Sequence, residues 1–180
     1  MIIETDRLIL RPWREDDAEN LYRYASDPDV GTPAGWEPHT SVEYSLEIIR
    51  TVFSAPEIYA VCLKQTGETI GSIGFHRNDI AEEDDEYELG YWIGKPYWGQ
   101  GITCEAAEEL LRHAFIDLEM KRIWCGHYDG NGKSRRVMEK LGFIYHHTTN
   151  GLEVLGEMRT GHVLLLTREV WEKRNTSFFN

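Results

Sequence analysis

Residues 98–103 read Trp98-Gly99-Gln100-Gly101-Ile102-Thr103, and they stand between an apolar strand-like stretch, 87–93, and a segment with apolar residues at helical spacing, 104–118. Two glycines within three positions let the main chain turn tightly, because neither carries a Cβ to obstruct it. The chain must therefore pass from strand to helix in one turn, with a row of N–H groups and a helix N-terminus aimed the same way. Such a turn either cradles an anion or only connects two elements. It is not G-x-G-x-x-G, it lies in mid-chain, and no acidic residue stands clearly at the end of the next strand, so a dinucleotide fingerprint is not indicated. No G-x-x-x-x-G-K-[S/T] occurs, which excludes the usual triphosphate loop.

Around this turn the chain reads in the order β-α-α-β-β-β-α-β-α-β-β. Residues 7–11 (RLILR) form a first strand that Pro12 limits. Ala18, Leu21, Tyr22 and Ala25 share one helix face. The stretch DPDVGTPAGWEPH, 27–39, is a breaker-rich loop. Thr40 and Glu43 have capping-box spacing, for a helix with Val42, Ser45, Leu46, Ile49, Val52 and Phe53 on its inner face. Strands at 59–63 and 69–76 flank the turn QTGE. The acidic run 82–86 reads as a solvated loop. The helix at 104–118 turns Ala107, Leu111, Ala114, Phe115 and Leu118 inward. A strand at 122–127, a helix at 134–141 ended by Gly142, and strands at 143–148 and 163–167 follow, with NTSFFN as a loose end. This order predicts one α/β unit, a mixed sheet with helices on both faces.

Charge narrows the function. Lys and Arg number 19 against 31 Asp and Glu, a formal net charge of −12. A generally basic nucleic-acid module is disfavoured. A basic partner or a cationic small molecule suits the charge, while an anionic ligand stays open to backbone N–H groups. Cys62, Cys104 and Cys125 are too widely spaced for a disulfide framework or a zinc knuckle, and they fit a reducing, cytoplasmic setting. His146, His147 and His162 have no metal-ligand spacing, and adjacent histidines in a strand alternate faces, so no metal is expected. The opening MIIETDRLIL carries early acids and no long apolar stretch, so neither a leader peptide nor a membrane span is expected.

Three ordered blocks make the reading specific. The opening TDRLILRPWREDDAENLYRYASDP, then Glu88-Leu89-Gly90-Tyr91-Trp92-Ile93 with Tyr97-Trp98-Gly99-Gln100-Gly101 and Glu105-Ala106, then Asn131-x-x-Ser134-Arg135-Arg136-Val137-Met138-Glu139-Lys140-Leu141-Gly142-Phe143 stand in that sequence. Together they resemble the GCN5-related N-acetyltransferase (GNAT) superfamily, and within it the ribosomal-protein-alanine acetyltransferase-like branch. The likeness covers residues 4–170 and leaves 171–180 as a tail. It implies a single GNAT-like domain: a largely antiparallel sheet of about seven strands, about four helices, and a splay between strands four and five where acetyl-CoA lies. The backbone of Trp92 and Ile93 is implied to hold pantetheine and thioester. Amides of Trp98, Gly99, Gln100, Gly101, Ile102 and Thr103 are implied to cap the pyrophosphate. Asn131 is implied near the pantetheine and Ser134 near the cofactor's far side, with Arg135, Arg136 and Lys133 adding charge at the 3′-phosphate. The motif departs at Trp98 and Thr103 from the wider Q/R-x-x-G-x-G/A pattern. Met138 stands where many members carry a tyrosine proton donor.

The implied activity is acetyl transfer from acetyl-CoA to a primary amine. Protein N-termini, polyamine- or aminoglycoside-like amines, and amino-acid or metabolite amines all remain open, and a non-catalytic acyl-CoA sensor is the alternative. Such transfer needs a neutral amine held in line, a proton acceptor and an N–H to polarise the thioester. Glu88 is the first candidate base, sharing a strand face with Gly90 and Trp92. His76, ending the preceding strand, competes. Trp36 and Glu37 fall where related enzymes build the acceptor wall, one to pack an aliphatic part and one to attract an ammonium. Tyr128 is the candidate thiolate proton donor. Cys104 and Cys125 read as free core cysteines. The chain is expected as a monomer or homodimer.

Overall fold

A computed structural model describes residues 1–77 and 86–176. Eight strands form one sheet: β1 (Ile3–Glu4), β2 (Leu8–Arg11), β3 (Ile58–Leu63), β4 (Thr69–His76), β5 (Glu86–Ile93), β6 (Arg122–Tyr128), β7 (Ile144–Val154) and β8 (Glu157–Thr167). Their spatial order is β1-β2-β3-β4-β5-β6-β8-β7. Every neighbouring pair is antiparallel except β5–β6. The helices are α1 (Ala18–Ala25), α2 (Pro28–Gly31), α3 (Val42–Thr51), α4 (Ile102–Arg112), α5 (Gly132–Leu141) and α6 (Arg168–Asn175). Two apolar cores lie on opposite sides of the sheet. Leu89, Leu110, Phe115, Ile123 and Leu141 pack with Trp171 of α6 on one side, and Trp13, Leu21, Ile49 and Ala60 pack on the other.

The expected single α/β domain and its mixed sheet are present, with one more strand and more helices than expected. β1 is two residues long, too short for any periodicity to show. The last two strands run eleven residues each and join through Leu155 and Gly156, both at positive φ, the backbone of a tight hairpin turn. Asn150-Gly151 interrupts the apolar pattern, yet the sheet absorbs it as an irregularity between Thr149 and Leu152. The 27–39 loop contains α2, capped by Asp27, whose carboxylate accepts from the Asp29 amide. Ser41 rather than Thr40 caps α3, because it is the residue whose extended backbone lets its hydroxyl accept from the Tyr44 amide at 3.1 Å. α4 starts at Ile102 and widens into a π turn over His113–Asp117, which leaves Leu118 38% exposed instead of inward.

Residues 82–85 of the acidic run lie outside the described residues, as do 177–180 of the expected loose end. Glu86 is no solvated residue: it is buried in β5 and accepts from Arg122 (2.9 Å) and the Trp124 indole (2.8 Å). Residues 171–176, read as the start of a tail, continue α6, with Trp171 and Asn175 buried.

One buried ion pair ties the helical layer to the sheet. Asp17, 4% exposed, accepts twice from Arg11 at 2.7 Å, once from the Thr69 hydroxyl at 2.6 Å and once from the Arg14 amide at 2.9 Å. Burial pushes its pKa upward, but the hydrogen bonds from Arg11, Thr69 and Arg14 outweigh it and hold the carboxyl below its ordinary range. A depressed folded-state pKa stabilises the fold above the unfolded carboxyl pKa, and that contribution is lost as pH falls through the folded value. Asp17→Ala strands the Arg11 guanidinium and is expected to cost about 3–5 kcal/mol at neutral pH. Urea unfolding checks this, and the gap from the parent protein should narrow below about pH 4.

Candidate active site

β5 and β6 pair at only three positions: Glu86 with Arg122, Tyr87 with Ile123 and Glu88 with Trp124. Both strands continue, to Ile93 and Tyr128, but they part. The Cys125 thiol donates to the Leu89 carbonyl at 3.2 Å and closes the near end of the gap. Beyond it opens a groove of about 1330 Å³ that runs from the start of α4, through the splay, to α3. Main-chain direction follows strand alternation. The Leu89 carbonyl points at β6, whereas the Gly94 amide donates to Ile70 O and the Trp92 carbonyl presses on Gly71, where a Cβ would come within 2.3 Å. The main chains of Tyr91 and Ile93 therefore face the gap. The Ile93 carbonyl is taken by the Trp98 indole N–H at 2.7 Å. Of the expected pair Trp92 and Ile93, only Ile93 presents its backbone to the splay. Trp92 contributes its indole, edge-on to Trp36 at 5.9 Å.

The glycine loop has the backbone that its composition demands. Gly99 and Gly101 sit at φ of 74° and 75°, and Gly101 is the residue from which α4 starts. The first N–H groups of a helix have no intrahelical carbonyl to reach. The ladder of α4 begins with the Glu105 amide on Gly101 O at 3.0 Å. Trp98, Gly99, Gly101, Ile102 and Thr103 border the groove, whereas the Gln100 side chain turns back to donate to Pro96 O at 3.0 Å. A clamp from the bend between β1 and β2 steadies the loop from behind. Arg7 donates from both terminal nitrogens to Gln100 O at 3.1 Å and from Nε to Glu105 at 2.6 Å. Glu105 also accepts from the Thr5 hydroxyl and the Arg7 amide.

Across the gap, Asn131 and Ser134 border the groove with their side chains already engaged. Asn131 Oδ1 accepts from the Ser134 amide, capping α5, and its Nδ2 donates to Pro33 O. Ser134 Oγ lies 2.9 Å from the Tyr91 hydroxyl. Arg135 does not face the groove: its Nε donates to Glu139 at 2.8 Å along the outer face of α5. Lys133, Arg136 and Lys140 supply the cationic border instead, and the Lys133 ammonium stands 3.5 Å over the Trp98 ring. Met138 is fully buried and offers no donor.

Glu88 lies at the throat, in register with His76 on β4 and with Trp124 on β6. Its Oε1 would be 3.5 Å from a Cβ at Gly126, so the bare backbone there leaves the carboxylate its room. No hydrogen bond to this carboxylate is made among the described residues. Burial pushes the Glu88 carboxyl up to about 7. Burial lowers His76, which keeps the imidazole neutral. Tyr128 borders the groove beneath Gly35, with Arg159 5.6 Å from its ring centroid. Trp36 is half-buried and Glu37 exposed on the rim. His39, Tyr44 and Ile48 also line this end and had not been singled out from sequence, although Tyr44, Ile48 and Val52 recur at a spacing of four along α3. A register shift between Tyr145 and His147 breaks the alternation expected for His146 and His147 and sets their Nδ1 atoms 2.8 Å apart. No group of three or more metal-ligating side chains occurs among the described residues.

The raised Glu88 pKa has a stability consequence. The folded state holds this proton up to about pH 7, whereas an unfolded glutamate releases it near 4.5. The fold therefore loses stability as pH rises through that window. Glu88→Gln removes the loss. Its melting temperature should exceed the parent's increasingly from pH 5 to pH 8, with no such trend below the window.

The acetyltransferase (GNAT) domain family matches residues 7–144 of the chain. A Bacillus licheniformis protein named "Uncharacterized N-acetyltransferase p20" is 31% identical over 144 residues, 77% of this chain and 80% of the relative. The "Ribosomal-protein-serine acetyltransferase" of Escherichia coli is 34% identical over 77 residues, 43% of this chain and 42% of the relative. A crystal structure of a GNAT-family acetyltransferase from Bacillus anthracis superposes with a TM-score of 0.82 at 25% identity, covering 94% of this chain and 99% of that one. On the family match over residues 7–144 and on these relatives, this chain belongs to the GNAT family of acetyl-CoA-dependent acetyltransferases.

Proposed function

We propose that the groove carries acetyl-CoA from the glycine loop through the β5–β6 gap and that the acetyl group passes directly to a primary amine entering from the α3 side. The observation that carries this reading is continuity: one groove joins the loop amides, the exposed main chain of the splay and the buried carboxylate of Glu88. The residues present suit the ligand. Its diphosphate needs donors without a basic surface, and the loop amides provide them. Lys133, Arg136 and Lys140 border the same end and suit a further phosphate. Asn131 and Ser134 act here through the cap they form rather than through free side chains.

Acetyl-CoA supplies an activated acyl group that needs only a neutral amine in line with it. The N–H groups of Tyr91 and Ile93 face the gap and are the donors we assign to the carbonyl oxygen. Glu88 takes the ammonium proton, through a water where the distance requires it. The nitrogen lone pair then attacks the carbonyl carbon and forms the C–N bond, and collapse of the tetrahedral adduct breaks the C–S bond, whose electron pair leaves on sulfur while the nitrogen gives up its second proton to water. Tyr128 is the proton source we assign to that sulfur, and water returns a proton to it while Glu88 releases its own to solvent. No enzyme nucleophile is involved in this reading. Burial pushes both the Cys104 and the Cys125 thiols up, and Cys125 is bound to Leu89 O. Unpaired cysteines support a cytoplasmic setting, and no helix among the described residues is long and apolar enough to cross a membrane. The ribosomal-protein name of one relative makes a protein N-terminus one acceptor to test beside small amines.

Two measurements test the reading. Calorimetry should show coenzyme A binding, weakened about tenfold in Gly101→Ala. A Cβ at Gly101 would make only an ordinary contact, with the Arg7 guanidinium at 3.8 Å, so the effect there is the left-handed backbone, worth about 1–2 kcal/mol. A folded protein that takes up no coenzyme A, or an unaffected variant, would count against the loop's role. Thiol release should show kcat/KM rising with pH to a plateau above about 7, the protonation point of Glu88. Glu88→Gln should lose that limb and about 100-fold in rate.

A further inference from the structure

We infer that the acceptor is a primary amine borne on an apolar group of aromatic size, the chemistry of a bulky hydrophobic N-terminal residue or of an arylalkylamine, and not a polycation. This rests on the acetyl-transfer reading above and specifies its second substrate.

The wall that an amine must pass to reach Glu88 is built of rings. Trp36 meets Trp92 edge-on at 5.9 Å and His39 at 5.7 Å, and His39 meets Tyr44 at 5.0 Å. This series runs unbroken from β5 to α3. It is fixed before any ligand arrives. The Trp36 ring lies on the bare backbone of Gly31, where a Cβ would come within 2.6 Å of it. His39 is bound to Ser45 Oγ at 2.8 Å, and burial holds it in the uncharged form. A rigid wall loses little entropy on binding.

α3 completes the channel. Ser45 and Ile49 turn to the core, and a second stripe, Tyr44, Ile48 and Val52, borders the groove. Tyr44 is 39% exposed and Val52 45%. This apolar stripe is continuous with the cavity that holds Glu88, so the occupant of that cavity is what it meets. Charge argues in the same direction. Among the described residues the carboxylates bordering the groove are Asp29, Glu37 and Glu88. Asp29 is paired with Lys95, and Glu88 lies at the throat. Glu37 on the rim is left to attract one ammonium. A polyamine carrying three charges would have Glu88 for the reacting amine and Glu37 for a second, and its third charge would meet no free carboxylate in the groove. The chain's net charge of −12 therefore steers cations toward the protein without providing a polycation site.

The test is an acceptor panel with acetyl-CoA, read by thiol release. Phenethylamine and phenylalaninamide represent free amines, Phe- and Gly-initiated pentapeptides represent protein ends, and glycinamide and spermidine are the comparators. The aromatic members should exceed their glycine counterparts and spermidine by at least about tenfold in kcat/KM. Whichever aromatic arm is faster, peptide or free amine, identifies the source. Trp36→Ala and the surface variant Tyr44→Ala should each weigh at least fivefold more heavily on phenylalaninamide than on glycinamide. Calorimetry with coenzyme A present should show N-acetylphenylalaninamide binding and N-acetylspermidine failing to bind. Turnover in which spermidine or glycinamide matches the aromatic amines overturns this inference and leaves acetyl transfer standing. Coenzyme A binding with no turnover of any amine overturns the transfer reading and the inference together.

Discussion

Three residue pairs hold β5 to β6, and beyond them two strands continue without each other. Backbone N–H and C=O groups left unpaired inside a protein are costly, so a sheet that opens in its middle must settle them individually. The Cys125 thiol takes one carbonyl and the Trp98 indole another. The rest face a groove large enough for a ligand. The helical layers on both sides make the opening tolerable, because their cores keep the two halves of the sheet in place without the missing ladder. The groove is in this sense the part of the sheet that the chain declined to close, and the N–H groups of Tyr91 and Ile93 face into it.

The same opening sets the electrostatics. Glu88 stands at the last paired position, where burial raises its carboxyl to about 7 and where it borders the gap. Gly126 opposite leaves it room but supplies no partner. A hydrogen-bond donor at that point would lower the carboxyl's affinity for protons and weaken it as a base. The α3 side of the groove, by contrast, is lined by rings and an apolar helix stripe, with Glu37 on its rim.

Much of this was legible from sequence. The glycine turn was, because positive φ at Gly99 and Gly101 demands that residue type. So was the face shared by Glu88 and Trp92, through strand alternation, and the end of α5 at Gly142, again at positive φ. Contacts between distant segments were not. Arg7 on Gln100 spans 93 residues, and no local pattern records it. Arg135 and Arg136 are adjacent on one helix, and which of them faces the groove depends on helix phase, which i,i+4 pairing with Glu139 decided. Trp92 and Ile93 pose the same problem in a strand, where a shift of one residue exchanges the two edges. The length of β7 and β8, expected only at 143–148 and 163–167, was hidden because Asn150-Gly151 interrupts the apolar pattern and the turn falls at Leu155-Gly156. Glu86 was misplaced because a run of acids reads as solvent-facing, and only the tertiary arrangement brings Arg122 and Trp124 to it.

The Arg7 clamp has a consequence for how the molecule is made. The arginine leaves the ribosome early, but its two targets, Gln100 O and Glu105, follow more than ninety residues later. Until then the segment between β1 and β2 has no hold on the turn it will steady. Trp171 sits in the same core as α4. The turn is therefore braced from behind only once residue 105 has been made, and the core under α4 is completed only once Trp171 has joined it.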